Sequence, residues 1–84
     1  DDTMIDTAES TARAVPGVVA VDGVRARWVG HELVADVRVR VDPNAGVVQA
    51  DRIARRVRDA MTDRIGRLGD VTVQVSPAAD GTTP

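Results

Sequence analysis

His31 is the only imidazole in the chain, and Glu32 follows it directly. The pair offers one nitrogen and one carboxylate to a metal ion, whereas a protein zinc site gathers three or four donors. No cysteine is present to complete such a set. That absence also excludes disulfides, thiolate metal sites and cysteine nucleophiles. His31 therefore reads as a polar turn residue. No Gly-rich phosphate loop follows a strand, and spacing supports no Ser-His-Asp arrangement. The sequence carries no enzyme constellation, so its chemistry has to be sought in binding.

The remaining candidates are arginines and aspartates. All eleven basic residues are Arg, and the net charge is -2. That balance argues against a general nucleic-acid or anionic-membrane binder. The charges are unevenly placed, however: Arg25, Arg27, Arg38 and Arg40 alternate with apolar residues around Asp36. A basic sheet face can hold single-stranded RNA, but it does so by stacking bases on aromatic side chains. Trp28 is the single aromatic residue, and alternation puts it on the opposite face. A solvated face with a cross-strand ion pair between Arg25 and Asp36 is the plainer expectation.

These residues fall within residues 18–51, VVAVDGVRARWVGHELVADVRVRVDPNAGVVQAD, which read as a β-hairpin, a turn and the opening of a helix. Taking Gly30-His31 as a two-residue turn sets Val29 opposite Glu32. Counting outward puts Trp28 against Leu33, Ala26 against Ala35 and Val24 against Val37 on one apolar face. Arg27 against Val34 and Arg25 against Asp36 fall on the other. The alternation fails at Asp22, which would face Val39 on the apolar side. Regular pairing is therefore expected to start at about Gly23.

Periodicity supplies the flanking elements. Thr3 or Asp6 is expected to cap a first helix running to about Ala14, with Met4, Ile5, Ala8, Ala12 and Val15 at helical spacing. Pro16-Gly17 ends it, and Asp42-Pro43-Asn44-Ala45-Gly46 is turn chemistry. A second helix from about Val47 to Ile65 carries Ala50, Ile53, Ala54, Val57, Ala60, Met61 and Ile65 as one stripe. Its other face pairs Asp51 with Arg55, Arg55 with Asp59 and Asp63 with Arg67. DVTVQV, from Asp70 to Val75, alternates as a third strand.

The order is thus αββαβ, and a right-handed crossover makes the third strand parallel to the second. The expected fold class is α+β: a truncated ferredoxin-like sandwich, with a three-stranded mixed sheet and two helices on one face. A domain of 84 residues buries only a modest core, and the bare face and open edges of the sheet call for a cover. Oligomerisation would supply one. No apolar run approaches the roughly 18 residues of a membrane span, and from the abrupt start, DDTM, a domain cut from a larger protein is expected.

VPGV at 15–18, VRARWVG at 24–30, VAD at 34–36, VDP at 41–43, VVQADRI at 47–53 and DVTVQVSP at 70–77 resemble, in order and spacing, the cytoplasmic C-terminal domain of the cation diffusion facilitator family. The RAR-x-VG, AD and VDP blocks, with the spacing from AD to QAD, look closest to its magnetosome-associated branch. The resemblance implies a metallochaperone-like domain over residues 1–77, followed at 78–84 by a tail expected to be disordered. It further implies a V-shaped homodimer beneath a covalently linked transmembrane antiporter, on the cytoplasmic face of a bacterial inner or magnetosome-type membrane. A weakly bound divalent metal cation (manganese, iron or zinc) would draw the two arms together and so regulate transport. No nucleic acid is implied as a partner.

The same resemblance carries metal ligands onto three positions. Asp36, in VAD, matches an acidic ligand of the magnetosome branch. Asp51, in QAD, stands where the family usually has His, and Asp22 lies where many members have His or Asp ahead of the RAR block. In the last strand the family pattern V-H-x-[DE]-P is replaced by Gln74 and Ser76, with Thr72 where the magnetosome branch places its His. Carboxylates without imidazoles favour hard cations such as manganese or magnesium over zinc, copper or nickel. Against this stand the Arg25 ion pair for Asp36 and, for Asp51, a favourable charge near the positive end of a helix dipole. The competing functions are a metal-insensitive constitutive dimerisation module and a stand-alone ferredoxin-like ligand-binding or RNA-binding domain.

Overall fold

The computed structural model describes residues 2–79. Its elements are α1 (Asp2–Arg13), β1 (Ala20–Val29), β2 (Glu32–Val41), α2 (Val47–Arg64) and β3 (Leu68–Pro77). The strands make one sheet in the order β1-β2-β3, with β1 antiparallel and β3 parallel to the central β2. The αββαβ order and the mixed sheet are those expected from the sequence.

β2 shows why both helices sit on one face. Leu33, Ala35, Val37, Val39 and Val41 are buried, while Asp36 and Arg38 between them are exposed. α2 lays Ile53, Val57 and Met61 onto the buried row, and α1 adds Ala8 and Ala12. The opposite sheet face receives no helix. Pro16-Gly17 turns the chain from α1 into β1, with Gly17 at a φ of 98°.

The hairpin register from Val29 opposite Glu32 to Val24 opposite Val37 is the one that the two-residue turn dictates. Beyond it the ladder shifts, because Val21 pairs with Val39 and Gly23 with Arg38, which leaves Asp22 as an extra residue. This β-bulge removes the carboxylate from the apolar face. Pairing then resumes as far as Ala20, and the Val19 N–H still donates to the Arg40 carbonyl at 2.8 Å. The expected start at Gly23 was three residues too late.

Other boundaries differ for local reasons. α1 begins at Asp2, so Thr3 and Asp6 lie inside it rather than capping it. β3 extends past DVTVQV at both ends, since Leu68 pairs with Leu33 and Pro77 with Val41. α2 stops at Arg64, and Arg67 takes a left-handed φ of 66° in the connection. Asp63 and Arg67 therefore do not share a helix, and of the three expected helical charge pairs only Asp51 with Arg55 closes among the described residues, at 3.0 Å. Trp28 shares a sheet face with buried Leu33 yet remains 53% exposed. Residues 80–84, most of the tail expected to be disordered, lie outside the described residues.

Candidate functional site

Asp36 stands midway along β2, the central strand, on the face that the helices leave bare. Its neighbours in the sheet are Arg25 on β1 and Thr72 on β3. The cross-strand ion pair expected between Arg25 and Asp36 does not form. Among the described residues the ion pairs are Arg40 with Asp22 and Arg55 with Asp51. Register brings two Cα atoms together, but in water an exposed pair gains little from holding a long Arg side chain in one geometry. Asp36 is left without a charge partner and lines two shallow recesses. One, of about 450 Å³, is shared with Arg25, Arg27, Val34, Asp70 and Thr72. The other, of about 190 Å³, is shared with Gly23, Arg25, Arg38 and Gln74.

Asp22 and Asp51 are engaged elsewhere. At the bulge, Arg40 Nε donates to both carboxylate oxygens of Asp22, at 2.9 and 2.8 Å. Asp51, one turn into α2, lies 3.0 Å from Arg55 Nε in full view of solvent. It belongs to the helical layer, whereas Asp36 faces away from that layer. The three carboxylates named by the sequence are thus on three different elements, and no group of three or more His, Cys, Asp or Glu residues converges among the described residues. His31 is exposed at the hairpin tip.

Sequence reasoning passed over Asp70. The alternation in DVTVQV already sets Asp70, Thr72 and Gln74 opposite the valines, but only the parallel register shows what they meet. Asp70 pairs with Val34 and Thr72 with Asp36, so the two carboxylates share the larger recess. Asp36, Asp70 and Thr72 offer oxygen donors alone, which suits a hard divalent cation. Arg25 and Arg27 line the same recess and oppose a cation electrostatically. The donor set fits such an ion weakly.

Residues 1–78 match the family model described as "Cation efflux protein, cytoplasmic domain". The chain is 40% identical over 83 residues to a probable cation efflux system protein of Mycobacterium tuberculosis, covering 99% of this chain and 25% of that protein. It is 34% identical over 83 residues to the magnetosome protein MamB of Magnetospirillum gryphiswaldense, covering 99% of this chain and 28% of MamB. The chain therefore spans about a quarter of the length of these relatives. Among solved structures, a nickel form of a MamM C-terminal domain variant in which one glutamate is replaced by histidine superposes with a TM-score of 0.89 at 32% identity, over 94% of this chain and 100% of that one. A manganese form of another variant of that domain, with the glutamate replaced by aspartate, gives 0.86 at 32% identity, over 92% and 98%. No helix among the described residues is long and apolar enough to cross a membrane. The bare sheet face, the αββαβ order and these likenesses lead to one assignment: the chain belongs to the cation efflux protein family, as its cytoplasmic domain.

Proposed function

We propose that this domain is the regulatory and dimerisation module of a divalent-cation efflux transporter, joined to antiporter helices elsewhere in the protein and held at the cytoplasmic face of a bacterial membrane. Two copies form a V, and divalent cations bound between them bring the arms together. The observation that carries this reading is Asp36: a carboxylate with no ion pair, at the centre of the uncovered sheet face. The MamM domains named as nickel and manganese forms make a divalent cation the natural ligand class.

Asp36 is the principal ligand. Asp51 and Asp22 join it from one protomer or the other once Arg55 and Arg40 release them, and Asp70 and Thr72 lie beside it. When bound, the cation supplies positive charge between carboxylates that otherwise repel. The role is binding and association rather than catalysis.

Calorimetric titration with manganese and with zinc, on the parent and on Asp36→Ala, tests this. Manganese heat is expected in the parent and absent in the variant, with zinc no tighter than manganese. Manganese heat retained in the variant would remove Asp36 from the site, and no heat with either ion in the parent would leave a metal-insensitive dimerisation module.

A further inference from the structure

Trp28 is the only aromatic residue of the chain, and the fold does not bury it. It is 53% exposed, as is Val29 beside it. The core is built instead from Val, Ala, Ile, Leu and Met. Alternation puts these two exposed apolar side chains on opposite faces of the hairpin tip, and neither belongs to the core of the domain.

The position of the tip says what it meets. Thr3, Met4 and Thr7 of α1 line one recess with Arg64, Ile65 and Gly66 at the end of α2. A few residues on, the Arg67 carbonyl accepts the Leu33 N–H at 2.8 Å, and Leu33 is the cross-strand partner of Trp28. The start of α1, the end of α2 and the hairpin tip are therefore at one end of the molecule. β3 finishes at the other end, where Pro77 pairs with Val41.

We propose that Trp28 and Val29 dock into the interfacial layer of the lipid bilayer. The inference rests on the proposed function, with the antiporter helices ahead of α1 as the likeness to MamM C-terminal domains implies, an order that sets this end toward the bilayer. The relatives are about four times as long as the match (25% of the M. tuberculosis protein), so a protein of their length has ample chain for membrane helices beyond this domain. Tryptophan suits the role because its amphipathic ring settles at headgroup depth. Charge does not drive the contact: Arg27, Arg64 and Arg67 are exposed at this end, but so are Glu32, Asp63 and Asp70. A zwitterionic surface therefore suffices. Two side chains hold only weakly, so the tip orients a domain that is already tethered and does not anchor it by itself.

The absence of cysteine makes the test direct. One Cys added ahead of Asp1 couples the chain to maleimide lipid in phosphatidylcholine vesicles, and Trp28 is the sole fluorophore. A blue-shifted emission, and loss of intensity when brominated phosphatidylcholine is used, are expected from this coupling point. Neither is expected when the Cys follows Pro84, nor in an N-terminally coupled Val29→Asp. Unchanged emission from the N-terminal coupling, or equal quenching from both ends, overturns the docking. So does a blue shift that grows with protein concentration without lipid, which makes the tip a contact between copies. The two coupling points decide the matter even if Val29→Asp fails to fold. Fractionation of the full-length transporter separates the premise: a soluble protein removes the membrane reading, whereas a membrane-bound one without quenching removes the docking alone.

Discussion

Asp22 and Asp36 are carboxylates of the same hairpin with opposite circumstances. The bulge turns Asp22 toward Arg40, whose Nε meets both oxygens. Their side chains are 35% and 40% exposed, and a pair this wet is worth about 0.2–1 kcal/mol. Asp22→Ala is expected to lower stability in urea unfolding by that amount, with the difference shrinking in high salt as screening takes over. Asp36→Ala breaks no ion pair and should change stability by less than about 0.5 kcal/mol, as exposed substitutions usually do. Should Asp36→Ala prove the more damaging of the two, Asp36 would be a structural residue and its freedom to take a cation would be lost.

At the scale of elements, the junction of α1 with β1 depends on Gly17. Its φ of 98° is the left-handed region, and an added Cβ would lie 2.6 and 2.7 Å from Cδ1 and Cγ1 of Ile53. Ile53 is buried to 3% exposure in the core, so displacing it disturbs its packing there. Gly17→Ala should therefore cost about 1–3 kcal/mol, combining backbone strain with overpacking. Gly66→Ala, where a Cβ meets nothing within 4 Å, serves as the near-neutral comparison in the same denaturation series. The hairpin was legible in the sequence because a two-residue turn and a period of two fix register together. The failure at Asp22 was legible too, but a mismatch in alternation marks where a ladder breaks without telling that it heals on the far side. Leu68 gains strand geometry from pairing with Leu33 rather than from its own propensity, with Gly69 left as the extra residue of a register shift, and no local pattern carries that. The same limit applies to the site. Alternation put Asp36 on the open face, and the i,i+4 rule gave Asp51 its Arg55, but Asp70 comes beside Asp36 only through a register set across the whole α2 crossover. For Trp28, alternation named a face and not a depth beneath the helices.

The molecule as a whole is a thin slab, 45 by 26 by 18 Å, with a radius of gyration of 13.1 Å. A compact globule of similar length would have about 11.5 Å. The difference reflects two layers where a fuller sandwich has more, and the uncovered layer is the face that carries Asp36. In the proposed dimer this shape makes the angle between slabs sensitive to whatever charge lies between them. Manganese is expected to reduce the radius of gyration of the dimer in small-angle scattering, and a chelator should restore it. A tenfold excess of cation over its dissociation constant should add about 1.4 kcal/mol to the stability of the folded state, visible as a higher melting temperature. Asp36→Ala should lose both effects together, since both arise from one binding event. Sodium chloride at matched ionic strength distinguishes a bound ion from a screening atmosphere. Diffuse ions weaken repulsion between arms whatever their valence. A site of converging oxygens instead requires the divalent ion at concentrations where sodium chloride has no effect. Equal compaction by the two salts would mean that the aspartates repel across the V without ever sharing a cation.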